Sequence, residues 1–414
     1  NSLNFFTPQN PYQPQPHTHT HTHTTHTTQT LRDRERDKMC IAFFTSKHPD
    51  YALILIDNRD EYILRPTSRP HWWTHPVTGR RVLSARDLER PERGTWLGVT
   101  RSGRLCVLTN YREPARSPVA GRVSRGAMVT NWLGQEPSSS SSSPSSDDDG
   151  SIAGDVGAFL AETDVRGSGG FSMLVGKLSR TKKDTNGEDG ERKGEGQVRG
   201  EFAIVSNRAG SLDDVPLLNL DERDGGWGLT NTAFDRSAEW EKVVLGTAAF
   251  DRAVRAHGEQ PAPSRTEDDL IERLLSLLSV DTLADPGGRS LAETLQTLKG
   301  SVFIPPLGDE KHRAEMEAAR ARGKGEWWSE EEDDEKNGVN GVNGSGGDGG
   351  QRLHPHGEEG FATGLYGTQR QTVLLVGRGS GEVTFFERAL WDPNGNEIPR
   401  GQGDVVHRFT IEEE

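Results

Sequence analysis

Cys40 is the first residue to weigh, because a thiol is the side chain most readily made nucleophilic near neutral pH and the chain holds only two, Cys40 and Cys106. If translation starts at Met39 and that methionine is removed, as a small following residue permits, Cys40 carries a free α-amino group. An α-amine with a pKa of about 7.7 to 8.0 can take the thiol proton, so one residue supplies nucleophile and base. The bland alternative is a small apolar residue opening a buried strand. Asn58-Arg59-Asp60-Glu61 begins 18 residues downstream, directly after an apolar run, so its polar side chains are expected to emerge where a strand ends. An arginine there could lower the thiol pKa and bind a substrate carbonyl or carboxylate, and an aspartate could orient the α-ammonium. A charged turn with an internal Arg-Asp pair competes with that reading. Asn110 and Asn231 share the triplet Leu-Thr-Asn, and neutral amide donors at such places can build an oxyanion hole. Each could equally be a cap or turn residue.

The elements that must position these residues follow from periodicity. Ile41 to Ser46 and Tyr51 to Asp57 are short apolar runs around a His-Pro turn signal, and together they predict a hairpin. Gly94 to Thr100 and Arg104 to Thr109 predict a second hairpin turning at Arg101-Ser102-Gly103. Phe171 to Leu178 and Glu201 to Ser206 read as two more strands. Thr266 to Ser279 places Leu270, Ile271, Leu274, Leu275, Leu277 and Leu278 at helical spacing after an acidic N-terminal turn. Shorter helices are expected at Leu291 to Leu298 and Ala233 to Val244. Gln371 to Val376 and Glu382 to Glu387 form a last hairpin, with Val405 to Ile411 as an edge strand. The whole reads as α+β with a large antiparallel component, two sheets packed together.

Composition bounds the rest. Of 414 residues 31% are hydrophobic, below a usual domain, and four polar stretches (1–38, 137–150, 180–200 and 309–360) dilute the remainder. What is left suffices for one domain over 39–414, with the three internal stretches as disordered insertions. Residues 17–28 alternate His and Thr as a CA-dinucleotide repeat would encode, so 1–38 reads as a disordered extension translated upstream of a start at Met39. A His-rich metal-binding tail is the competing view. The net charge of -14 and the lack of a basic patch with interleaved aromatics argue against a nucleic-acid partner. With two cysteines there is no disulfide framework, and a reducing compartment fits. No run of 18 apolar residues predicts a transmembrane helix, which leaves the cytoplasm as default. Gly364, Gly367, Gly377, Gly379 and Gly381 lack the strand-loop-helix setting of a phosphate loop. The pairs His71/His75 and His354/His356 sit in loop-like sequence, so neither a metal nor a cofactor is expected.

Taken in order, these blocks resemble the NRDE family, the transport-and-Golgi-organisation protein 2 family. The resemblance is carried by Met39-Cys40-Ile41, Asn58 to Glu61 with Arg65-Pro66, Gly94-Thr95-Trp96-Leu97-Gly98, Leu108-Thr109-Asn110-Tyr111-Arg112, Gly228-Leu229-Thr230-Asn231 and Tyr366-Gly367-Thr368. It covers Met39 to the C-terminus apart from the three polar insertions. It implies a four-layer αββα sandwich similar to choloylglycine hydrolases and penicillin V acylases, whose N-terminal cysteine attacks a linear amide. Cys40 would then be the nucleophile, Arg59 and Asp60 its neighbours, and Asn110 and Asn231 the oxyanion and substrate contacts. Asn58, Glu61 and Arg370 are further substrate-binding candidates. Family members usually read Gly-Thr-Arg after the tyrosine, whereas here Gln369 intervenes and the arginine is Arg370. A one-residue slip turns a strand side chain to the opposite face, which puts the role of Arg370 in question. The resemblance also implies a role in Golgi organisation, protein secretion and lipid or haem trafficking. The partner would be a hydrophobic small molecule (lipid, acyl compound or haem), with peripheral association to Golgi or mitochondria. Amide hydrolysis through an acyl-enzyme is the alternative function.

Overall fold

Side chains alternate across a strand, and in the first two strands both faces are apolar. Ile41, Phe43, Ile54 and Ile56 pack into one core, and Ala42, Phe44, Leu53 and Leu55 into another. A strand buried on both faces belongs in the middle of a layered molecule. The computed structural model describes residues 39–110, 123–135, 151–180, 196–222, 224–283, 297–323 and 363–412.

Among the described residues the strands form two antiparallel sheets. The first is six-stranded, in the order β10-β1-β2-β11-β12-β13. Its members are β1 (Cys40–Thr45), β2 (Tyr51–Tyr62), β10 (Trp227–Thr230), β11 (Tyr366–Gly377), β12 (Glu382–Ala389) and β13 (Asp404–Thr410). The second runs in chain order through β3 (His71–Thr74), β4 (Arg81–Ser84), β5 (Leu97–Thr100), β6 (Arg104–Asn110), β7 (Phe171–Arg180), β8 (Val198–Ser206) and β9 (Leu217–Leu218). Gly103, at φ +83°, turns the chain between β5 and β6, where a Cβ would stand 2.2 Å from the Leu178 carbonyl oxygen.

Among the described residues five α-helices complete the layers: α1 (Arg125–Gly134), α2 (Ile152–Glu162), α3 (Glu241–Gly258), α4 (Glu267–Leu278) and α5 (Glu310–Arg322). Phe250 and Val254 of α3, with Leu270 and Leu274 of α4, cover the outer face of the first sheet. Met128 and Trp132 of α1, with Val156 and Phe159 of α2, cover the outer face of the second. Between the sheets Ala42, Phe44, Leu53 and Leu55 meet Leu83, Val99, Leu105 and Leu174. The order is therefore helix, sheet, sheet, helix, the αββα layering that the resemblance implies.

The expected hairpins form, and α4 is capped by Thr266, whose side chain accepts the Asp269 N–H. Several boundaries differ. Asn58 to Glu61 do not emerge at a strand end; they lie inside β2, which runs on to Tyr62. The helix expected over Ala233 to Val244 is a short 3-10 turn, Phe234–Glu239, then an extended Trp240, then α3. Trp240 breaks the helix because its ring is drawn into the core beside Val243. Strands β7 and β8 invade the polar stretch 180–200 at both ends, and α5 occupies the start of 309–360. Of the helix expected at Leu291 to Leu298, residues 291–296 lie outside the described residues, as do the pair His354/His356 and residues 1–38.

Candidate active site

Strand pairing brings the two ends of the sequence signal together, with Cys40 of β1 directly opposite Arg59 of β2. On the other side β1 pairs with β10, whose next residue is Asn231. The Asn231 Oδ1 accepts the Cys40 N–H at 2.6 Å, and the Thr230 hydroxyl donates to the Cys40 carbonyl at 2.9 Å. The Asn231 Nδ2 is buried without a hydrogen-bond partner among the described residues. Thr109, the residue before Asn110, donates to the Thr230 carbonyl at 2.9 Å, so the two Leu-Thr-Asn triplets abut. Asn110 itself closes β6 opposite Phe171, half-buried, with no hydrogen bond to Cys40.

Alternation along β2 sends its polar residues to opposite faces. Arg59 points between the sheets, stacks 4.3 Å from the Trp96 ring centroid and donates to the Gln369 Oε1. Glu61 lies on the same face, 3.9 Å from Arg59 and 3.7 Å from Arg65. Asp60 faces the helices, and its Oδ1 accepts the Thr368 hydroxyl at 2.7 Å. Asn58 also faces the helices and gives both amide protons to backbone carbonyls, Leu278 at 2.8 Å and Val302 at 2.9 Å. Those bonds tie α4 to the sheet; they leave no donor for a substrate.

The extra residue in β11 is absorbed by a bulge. Thr368 pairs with Asp60 and Arg370 with Arg59, so Gln369 is the unpaired residue. Arg370 keeps the inter-sheet face, 3.6 Å from Glu387, and donates to Thr67 Oγ1 at 3.2 Å. Gln369 takes the place facing Arg59, and its Nε2 donates to the carbonyls of Ile63 and Arg65 at 3.0 and 3.2 Å. The slip therefore does not turn Arg370 away; it inserts Gln369 beside Arg59.

Sequence reasoning missed Lys242 altogether. It is fully buried, with its Nζ 3.3 Å from the Cys40 carbonyl oxygen. The available signal was its place on the apolar stripe of α3 with Gly246, Phe250 and Val254, four residues apart. The Tyr366 hydroxyl, noted in sequence only as part of a motif, accepts the Met39 N–H and stands 3.2 Å from the Asp60 carbonyl.

Electrostatics follow from burial. The Cys40 thiol is pushed up to about 12 by desolvation, then by Asp60 and Asp57; Arg59 pulls it down, but less. Asp60 is raised to about 7, again by burial, against the attraction of Lys242 and the Thr368 hydrogen bond. Burial lowers the Lys242 ammonium, and Asp60 opposes that. With Met39 attached the thiol is neutral and its N–H is an amide, so the residue is not a nucleophile in this state.

A cleft of about 390 Å³ lies close by, walled by Phe171, Ile204, Pro216 and Phe234 and also by the charged Arg208, Asp214 and Asp235, with Asn207 and Ala233 at its side. Ala233 is two residues past Asn231, and the Ser172 hydroxyl donates to the Thr232 carbonyl at 3.0 Å. Among the described residues no group of three or more His, Cys, Asp or Glu is placed to hold a metal ion, and no helix is long and apolar enough to cross a membrane.

Known proteins resemble this chain over most of its length. The Transport and Golgi organization protein 2 homolog of Bos taurus is 30% identical over 257 residues, 60% of this chain and 75% of that protein. An uncharacterized protein of Saccharomyces cerevisiae is 23% identical over 368 residues, 85% of this chain and 92% of its own. Among solved structures, a mutant conjugated bile acid hydrolase from Clostridium perfringens aligns with a TM-score of 0.33 and 10% identity, covering 90% of this chain and 97% of that one. The model of the family described as Transport and Golgi organisation 2 matches residues 39–392, and the chain belongs to that family.

Proposed function

We propose that the chain is a cysteine hydrolase of linear amides, acting in a mature form that begins at Cys40. The observation that carries this reading is the Asn231 amide, whose Oδ1 holds the Cys40 nitrogen at 2.6 Å while its Nδ2 is buried and unbonded. Removing Met39 turns that nitrogen into an α-amine, and the amine takes the Cys40 thiol proton. The thiolate then adds to the substrate carbonyl, and the unbonded Asn231 Nδ2–H stabilises the oxyanion. Collapse breaks the carbon-nitrogen bond, the departing amine takes the proton from the α-ammonium, and a thioester remains. Water hydrolyses the thioester, releasing the acid and restoring the thiol. Arg59, directly opposite, supplies positive charge that favours the thiolate, and the fold expected from the family resemblance supports the same chemistry.

An electrophilic acyl probe tests this. Wild-type protein is expected to be labelled at Cys40 and the Cys40→Ala variant to stay unlabelled; equal labelling of the two overturns the reading.

The cleft walled by Phe171, Ile204, Pro216 and Phe234 favours a second reading, binding of an apolar small molecule (a lipid, acyl compound or haem) without turnover. On this reading the chain acts from the cytoplasm, associated peripherally with Golgi or mitochondria, in the Golgi organisation that its relatives are named for. Native mass spectrometry of the purified protein is expected to show a bound ligand, and repeated absence of one counts against it.

A further inference from the structure

We propose that Lys242 is a positioning residue for Cys40: its ammonium holds the Cys40 carbonyl and offsets the Asp60 carboxylate, keeping the thiol and amine of Cys40 reactive near neutral pH. The inference rests on reading Cys40 as the nucleophile.

A lysine with 0% exposure is costly to bury, and a well-packed apolar residue on the same stripe would hold α3 to the sheet at least as well. What the lysine adds is a charge. Its Nζ is 3.3 Å from the Cys40 carbonyl oxygen, an atom of the nucleophile's own backbone. Its Nζ also stands 5.6 Å from the Trp240 ring centroid, and the Lys299 Nζ lies 5.1 Å from the same centroid.

The charged and titratable groups around Cys40 come from three elements. Strand β2 contributes Asp57, Arg59 and Asp60, with Glu61 acting on Asp60; β11 contributes Tyr366; α3 contributes Lys242. The Asp60 Oδ1 is taken by Thr368, while Oδ2 has no hydrogen-bond partner among the described residues. Without Lys242 the two aspartates act on Cys40 against Arg59 and the hydrogen bond to the Asp60 backbone carbonyl. A thiolate is then less favoured and an α-ammonium more favoured, and both changes slow attack at neutral pH.

The test is the alkylation rate of Cys40 by iodoacetamide as a function of pH, read by peptide mapping so that Cys106 is resolved separately. Below the midpoint the rate follows the thiolate fraction, so its logarithm rises with unit slope. The Lys242→Met variant is expected to keep that slope but run about tenfold slower at each pH, a displacement of about one unit. Lys242→Arg is expected to restore most of the rate, which a purely packing role does not predict. Superimposed profiles for wild type and Lys242→Met overturn the proposal. If Lys242→Met fails to fold, Lys242→Gln is compared with Lys242→Arg: slower alkylation in Lys242→Gln supports the role, and equal rates overturn it. Alkylation needs no substrate, so this outcome is independent of acyl labelling. If Lys242→Met shifts the profile while acyl labelling of Cys40 is absent, hydrolysis falls and the positioning of the thiol stands.

Discussion

At the scale of single residues the site is governed by what burial does to Cys40. A thiol pushed up to about 12 holds a thiolate fraction on the order of 10⁻⁴ at pH 8, against roughly a quarter for an ordinary cysteine near 8.5. While Met39 is retained, alkylation of Cys40 is expected to climb tenfold per pH unit and still be rising at pH 10, where a free cysteine has levelled off. A plateau below pH 9 in the rate profile refutes the burial account. The same shift has a stability consequence whose sign is fixed: the folded thiol keeps its proton while the unfolded one loses it above about 8.5. Stability is therefore complete below that pH and is lost progressively as pH rises toward 12. Asn231 carries a different expectation. Asn231→Ala removes the acceptor of the Cys40 nitrogen and the unbonded donor together, and amide turnover is expected to drop by about 10² to 10³. Steady-state kinetics checks this, since loss confined to KM would place Asn231 in substrate binding alone.

At the scale of elements, the bulge in β11 decides which side chain meets Arg59. Gln369 joins two backbone carbonyls to a guanidinium in a buried place, so Gln369→Ala takes a hydrogen-bond partner from each of the three. The expected cost is roughly 2 to 4 kcal/mol, read by urea denaturation, and a change below about 0.5 kcal/mol shows that the strand repacks without the bulge. The insertion was visible in sequence, but its outcome was not. A slip in a regular strand reverses a face, whereas a bulge confines the extra residue, and only the pairing with Asp60 and Arg59 tells them apart. The hairpins and α4 were legible because their apolar runs have a clear period and clear ends. The polar run Asn58 to Glu61 read as a strand end because polarity in sequence says nothing of partners two hundred residues away, such as the Leu278 and Val302 carbonyls. Lys242 escaped for the same reason: its partners Cys40 and Asp60 lie about two hundred positions upstream.

At the scale of the whole molecule, composition marks polar stretches but does not tell which of them the fold uses. The start of 309–360 is α5, capped by Asp309 and carrying Met316 at 1% exposure against Ile63 and Trp391. Met316→Ala is expected to cost about 2 to 4 kcal/mol, so deleting 309–360 should lower the melting temperature by more than a surface loop could. Calorimetry of the deletion checks it, and an unchanged transition would return α5 to the class of decoration. The other end of the chain bears on mechanism rather than stability. Met39 packs at 1% exposure and its N–H is held by Tyr366, so the chain around Cys40 folds with the methionine in place while the thiol there stays neutral. On the proposed hydrolase reading, folding does not need the removal of Met39, whereas a free amine on Cys40 does. Protein expressed from Met39 is expected to show the mass of a chain beginning at Cys40 and to take an acyl probe. Protein that keeps residues 1–39 is expected to melt at the same temperature and remain unlabelled. Labelling of both forms to the same extent would mean that Cys40 reacts without its own amine, and the proposed mechanism would lose its base.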